Sequence, residues 1–154
     1  MSAQVAFEQL KAYMDSKEIH YVKDDENFIL QVIFKTDDID LKHTVVFHDE
    51  LPVFTLYSWF PFKFSEELLI DSVLATSMVN RLILDGHFNV DVKDGQLSFK
   101  ATIPYSSEVD IPDDIFEYLF MMSNAIVDQY NDIFFDLSRS EERRVGKECR
   151  SRWS

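Results

Sequence analysis

Four histidines stand in the chain: His20, His43, His48 and His87. Imidazoles that share a metal or a proton must meet on one face, as two rings do one helical turn apart in a His-Glu-x-x-His motif. No such spacing occurs here. His43 and His48 are five residues apart in an extended segment, which puts them on opposite faces. All four read as surface or edge histidines rather than ligands. Two acidic clusters carry oxygen donors suited to Ca²⁺ or Mg²⁺: Asp24, Asp25 and Glu26, and then Asp37, Asp38 and Asp40. Neither has the glycine at position six or the glutamate at position twelve of an EF-hand loop, so both read as solvated turns.

Covalent and phosphate chemistry find no better footing. The chain has only three glycines, Gly86, Gly95 and Gly146, too few for a glycine-rich phosphate loop. It has no Gly-x-Ser-x-Gly elbow. Serine and threonine nucleophiles lack a recognisable base motif, and carboxylate pairs are too plentiful for one to stand out. The lone cysteine, Cys149, lies in a C-terminal stretch set apart below. No cofactor and no metal are expected.

The most distinctive segment is apolar. Tyr57, Trp59, Phe60, Phe62 and Phe64 place five aromatics within residues 57–64, more than one strand face buries. One reading is core plus a strand-to-helix corner, since aromatic rings dominate core energetics. The other is an exposed patch that anchors a protein partner. Tyr57 and Trp59 fall on the same side of the strand, away from Phe60, and both residue types are favoured interface anchors. Tyr57, Trp59, Phe62 and Phe64 are therefore the candidate protein-binding residues.

The elements that must position these residues follow from periodicity. Val5, Ala6, Leu10, Tyr13 and Met14 recur at helical spacing and predict a helix over 4–17. Residues 20–22 form a short candidate edge strand. Strands are predicted over 28–34, 43–48 and 53–60, joined by short acidic turns, which makes an antiparallel meander. Pro61, which cannot donate to a ladder, is expected to end the third. A long helix follows, with Ser65 as N-cap and Glu66 and Glu67 at the positive end of its dipole. Its wide apolar face holds Leu68, Leu69, Val73, Leu74, Ala75, Met78, Val79, Leu82 and Ile83, and Gly86 is expected to end it. Asp94 and Gly95 then predict a hairpin between strands 88–92 and 96–103. A last helix is expected after Asp110 as cap, with Pro112 in its first turn. Ile115, Leu119, Met122, Ile126, Tyr130 and Ile133 run down one stripe of it, widened by Phe116, Phe120, Val127 and Phe134.

Composition separates the end of the chain from the rest. The 154 residues include 46% hydrophobic and 28% charged residues and 14 Phe, which suits one globular domain with its own core. Residues 139–154 break this pattern, with six arginines and lysines, the only cysteine and no amphipathic period. The string resembles the in-frame translation of a sequencing adapter. It reads as a non-native tail rather than a basic nucleic-acid arm, with the domain spanning 1–138 and the native C-terminus beyond Ser138 left open. Setting the tail aside takes Lys+Arg from 15 to 9, Asp+Glu from 28 to 25 and the net charge from −13 to −16. So acidic a domain repels nucleic acid and anionic membranes, and favours basic or amphipathic partners. No apolar run is long enough to span a membrane and the first residues show no secretory signal, so a cytoplasmic location is expected.

The order α-β-β-β-α-β-β-α, in an acidic α+β chain of this size, resembles the type III secretion chaperone fold: an antiparallel sheet with helices packed on it. Within it, Asn80-Arg81-Leu82-Ile83-Leu84-Asp85-Gly86-His87-Phe88-Asn89-Val90-Asp91 resembles the YbjN family. That family's helix-to-strand corner carries an Asn near the helix end, a small residue, then a short aromatic-led strand. The turn at Asp94 and Gly95, the strand Leu97-Ser98-Phe99-Lys100-Ala101 and a last helix with paired acids and a late tyrosine, here Tyr130, continue the likeness over about residues 4–136. The motifs determine the fold rather than a chemistry. The resemblance implies a bacterial binding or regulatory protein.

The expected function is a non-catalytic protein-binding module, chaperone-like or regulatory, expected to be a homodimer. It would hold a partner segment by strand addition or in an apolar groove. Two alternatives stand beside it. One is an orphan enzyme using scattered carboxylates, which requires a deep polar pocket with a strongly perturbed Asp or Glu. The other is a regulator of a transcription or signalling partner.

Overall fold

The computed structural model describes residues 2–36 and 38–140. The chain opens with helix α1, Ala3–Ser16, capped by the Ser2 hydroxyl, which accepts the Val5 amide at 3.3 Å. Its buried face carries Ala6, Phe7, Leu10, Tyr13 and Met14. Val5, expected on that face, is 47% exposed, and Phe7 takes its place. Lys11 lies against the Phe7 ring at 4.8 Å and ends between Glu8 (2.7 Å) and Asp25 (2.9 Å). It thereby ties the helix to the first acidic turn.

Six strands follow in one antiparallel sheet: β1 Val22–Asp24, β2 Ile29–Lys35, β3 Asp40–Phe47, β4 Val53–Lys63, β5 His87–Val90 and β6 Gln96–Pro104. Their spatial order is β1-β2-β3-β4-β6-β5. The short β1 is the edge strand expected near residues 20–22. It adds a fourth strand before the middle helix to the three in the expected order.

β4 runs three residues further than expected, through Pro61 to Lys63. The register with β6 shifts between Trp59, opposite Ser98, and Lys63, opposite Gln96. Pro61 sits in that irregularity, where no ladder amide is asked of it. The Gln96 side chain bridges the gap by donating to the carbonyls of Phe60 (3.0 Å) and Leu97 (2.9 Å). Gly95 (φ +78°) turns the β5–β6 hairpin beneath this corner. A Cβ there would collide with the Phe64 carbonyl, whose own amide donates to the Gly95 carbonyl at 2.9 Å.

A 3₁₀ turn, Glu66–Leu68, leads from Ser65 into helix α2, Leu69–Asn80. α2 ends well short of Gly86. The Asn80 side chain donates to the Phe88 carbonyl (3.0 Å) and accepts the Phe88 amide (2.7 Å), so β5 is fastened directly to the helix end. The intervening residues must turn, and Gly86 (φ +73°) belongs to the entry of β5 rather than to a helix cap. The last helix, α3, is Asp113–Ser138, with Pro112 rather than Asp110 at its N-cap. Asp110 instead accepts the Gln9 side-chain amide at 2.8 Å, while the Gln9 carbonyl oxygen accepts the Ile111 amide, also at 2.8 Å. The buried stripe of α3 is Phe116, Leu119, Phe120, Ser123, Val127, Tyr130 and Phe134. Ile133, expected on it, is 51% exposed.

One face of the sheet meets α1 and α3. Leu30, Val32, Leu41, Val45, Phe47, Phe54, Leu56, Phe60, Phe88, Leu97 and Phe99 form its buried layer. Phe54 stacks on Phe47 (5.1 Å) and packs on Phe116 (5.7 Å), and Phe88 meets Phe134 (4.9 Å) and Phe99 (5.2 Å). Such ring pairs add about 0.5–1.5 kcal/mol each beyond the area they bury. The strongly aromatic composition is therefore spent largely in this layer.

Candidate functional site

Alternation along β4 splits the aromatic segment between two faces. Phe54, Leu56, Ser58 and Phe60 point into the core, while Tyr57 and Trp59 stand half-buried on the opposite, outer face. Their rings stack with centroids 5.4 Å apart and planes 13° from parallel. The Trp59 indole N–H donates to the Thr44 hydroxyl at 3.0 Å, and the Lys100 ammonium lies 5.5 Å from the centre of the Tyr57 ring. Register sets out the surroundings. One row across the sheet runs Val22, Gln31, Thr44, Tyr57, Lys100, His87, and the next runs Ile33, Lys42, Trp59, Ser98, Asn89. At the β1–β2 end, Tyr21, Val22, Ile33 and Lys42 line a shallow depression of about 430 Å³.

Phe62 and Phe64 do not join this platform. Phe64 is buried, at 3% exposure, beneath the corner that Gly95 closes. Phe62 is half-buried between Phe60 (5.6 Å), Phe64 (5.9 Å) and Phe135 (5.7 Å). The segment is thus both core-and-corner and surface, divided at Phe60.

The histidines separate in the same way. His48 is beside the outer face, its Nε2 3.0 Å from the Thr55 hydroxyl, which lies 3.0 Å from the Thr102 hydroxyl. His43, expected at the surface, is fully buried. Parity explains this, because it shares the inner face of β3 with Leu41, Val45 and Phe47. Its Nδ1 is 2.7 Å from the Ser58 hydroxyl and its Nε2 is 2.8 Å from Asn124 Oδ1. An amide oxygen only accepts, so Nε2 carries the proton and Nδ1 accepts from Ser58. Burial pushes the imidazole down to about 4, against the smaller opposing pull of Asn124, so the ring is neutral at pH 7. The group resembles a Ser-His-Asn relay, yet Ser58 and His43 are both sealed from solvent, and the His43 ring is pressed by Phe34 and Phe120. It clamps β3, β4 and α3 together.

The acidic clusters are turn chemistry where they are described. Asp24 accepts from the Asn27 side chain (2.7 Å) and from the amides of Asn27 and Glu26, which lower its pKa. Asp25 is lowered by Lys11 and Lys23. Asp37 of the second cluster lies outside the described residues. Among the described residues no group of three or more His, Cys, Asp or Glu is placed to hold a metal ion, and no helix is long and apolar enough to cross a membrane.

A second surface was not singled out by sequence reasoning. α2 packs inward through Ser72, Thr76 and Val79. The hydroxyls of Ser72 and Thr76 are satisfied on the helix's own carbonyls at 2.7 Å. Leu68 and Val79 of its expected apolar face are buried, but Leu74 (58% exposed), Met78 (70%) and Leu82 (72%) face water instead, as does Ile70 (77%). Met78, Leu82 and Ile133 of α3 border an apolar groove of about 410 Å³. The signal was present, because a helix apolar around most of its circumference has more than one face to cover.

The architecture defines a class: an antiparallel α+β sheet with α1 and α3 on one face and the aromatic platform on the other. No protein-family model matches the sequence, and no curated protein is similar to it. Solved structures do share the fold. The ExsC–ExsE complex matches with a TM-score of 0.60 at 14% identity, covering 84% of this chain and 92% of that one. YbjN from E. coli matches with a TM-score of 0.59 at 10% identity, covering 89% and 92%. The HopA1–SchA chaperone–effector complex matches with a TM-score of 0.55 at 14% identity, covering 84% and 93%. The chain has the secretion-chaperone-like fold that YbjN shares.

Proposed function

We propose that this chain is a non-catalytic protein-binding module of the secretion-chaperone-like class, acting as a homodimer in a bacterial cytoplasm. The observation that carries the reading is the fold shared over more than four-fifths of the chain with two partner complexes, one of them a chaperone–effector complex. Two surfaces serve such a role. The Tyr57–Trp59 platform on the outer face offers rigid, half-buried rings to a partner segment. The exposed apolar side of α2 is the face a second copy would cover. Tyr57 and Trp59 are the partner-contacting residues, while Phe62 and Phe64 support the corner behind them.

The likeness to YbjN favours a second reading, a regulator of a transcription or signalling partner. It uses the same binding physics and differs in the identity of the partner.

Trp59→Ala tests the platform. The side chain is half-buried on the outer face, so the variant is expected to keep the wild-type circular dichroism while losing most of the partner that co-purifies with the wild type. Equal recovery of that partner by both proteins would remove the platform from the proposal.

A further inference from the structure

The chain as a whole is acidic, at −13, and bulk charge alone favours a basic partner. The platform is not acidic. Lys42 stands directly across from Trp59 in the sheet register, and Lys100 directly across from Tyr57 on the other side. His87 follows Lys100 in the same row. Among the described residues Lys11, Lys23 and Lys63 are held by carboxylates, while Lys42 and Lys100 are in no ion pair. Two acids share this face by register, and both lie at its margin. Asp24 is on the edge strand with its oxygens occupied by the following turn, and Asp40 is paired in register with Lys35. The outer face is therefore a cationic and aromatic island on an acidic molecule.

We infer that the segment bound on this face is an extended acidic peptide that carries aromatic or other apolar side chains. The inference rests on the reading of Tyr57 and Trp59 as the partner site and specifies that partner's chemistry. Lys42 and Lys100 lie two strand spacings and one ladder row apart, about 12 Å, on opposite sides of the ring pair. Carboxylates four residues apart on one face of an extended segment, about 13 Å, span both flexible ammonium groups, with one same-face position between them. The apolar side chain two residues along, which shares that face, meets the Tyr57 and Trp59 rings, and further apolar residues at the same period reach the exposed Ile33. A nucleic acid would also find cations and rings here. Its charge extends far beyond the face, however, and would meet the acidic remainder of the molecule.

The test uses the full chain and two twelve-residue peptides that differ only in charge, one repeating Glu-Ser-Tyr-Ser and the other Lys-Ser-Tyr-Ser, so that charge and ring share one face of the extended chain. Binding is followed by NMR at the Trp59 indole N–H and at the amides of Lys42, Thr44, Tyr57 and Lys100. The Glu peptide is expected to move these signals, with affinity falling as salt is raised. Lys42→Glu with Lys100→Glu is expected to weaken it by about tenfold, two surface charges being reversed. If the Lys peptide moves the same signals as strongly or more so, the acidic-partner inference fails while the platform survives as a binding site. If neither peptide moves them, the inference and the platform reading fall together. A single-stranded oligothymidylate that moves them more strongly than the Glu peptide would also overturn the inference.

Discussion

At the scale of single residues, His43 shows how a polar group is made compatible with a core. Both ring nitrogens are hydrogen-bonded, so the neutral imidazole leaves no polar atom unmatched. Protonation would put a charge among Phe34, Phe120 and the inner sheet face and would displace the Ser58 proton. The folded-state pKa is depressed to about 4 from an ordinary 6.5. The unfolded chain therefore takes up this proton first as pH falls, and stability is lost across the window between those two values. The loss reaches about 3 kcal/mol once pH is below both. Urea titrations at pH 7 and pH 4 should show His43→Gln losing less stability than the wild type over that interval. Parallel losses in the two proteins would mean that other groups dominate the acid response.

At the scale of elements, the local ends are informative. α1 closes with the Ile19 amide donating to Met14 (3.0 Å) and the Glu18 amide to Asp15 (3.1 Å). That is a Schellman arrangement, with Glu18 at φ +57°, where glycine is usual. Glu18→Gly is expected to stabilise the protein by roughly 1 kcal/mol, because the left-handed strain of a side-chain-bearing residue is relieved. A urea midpoint at or below that of the wild type would show that Glu18 is held there by something more than backbone geometry. The same logic separates the two hairpin-side glycines from ordinary turn residues: each stands against another part of the chain, Phe64 for Gly95 and Phe99 for Gly86. α2 is the opposite case. Its local pattern promised a long buried helix, but it stops at Asn80, whose side chain fastens β5, and it packs inward through Ser72, Thr76 and Val79, which leaves Ile70, Leu74 and Met78 in water.

At the scale of the whole molecule, two exposed features demand cover, the α2 groove and the outer face. They differ in character, one almost purely apolar and the other aromatic and cationic. That difference suits two partners, a second copy on α2 and a peptide on the sheet. Light scattering behind size exclusion is expected to give the mass of two chains for the wild type and of one chain for Leu74→Glu with Met78→Glu. Those side chains are exposed in the single chain, so the double variant should keep its fold. A monomeric wild type would end the homodimer proposal and leave the groove to another occupant. The proposed non-native stretch after Ser138 begins with Arg139, whose guanidinium lies 4.9 Å from the Phe135 ring, and from residue 141 onward it lies outside the described residues.

The sequence alone determined whatever depends on neighbours a few residues apart. Period-two alternation placed Tyr57 and Trp59 opposite Phe60, Asp94 and Gly95 marked the hairpin, and helical spacing found α1 and α3 to within a few residues. The same parity would have put His43 beside Leu41 and Val45, had it been applied to a residue type usually found at surfaces. The rest was decided by contacts between distant segments. Strand order set β6 between β4 and β5, and that order brought Lys100 to Tyr57 and closed the bulge over Pro61. The Asn80–Phe88 bridge ended α2. Which apolar surface is core and which is left for a partner depends on what packs against it. A pattern of hydrophobicity along one chain marks faces to be covered, and only the folded molecule shows which of them the chain covers itself.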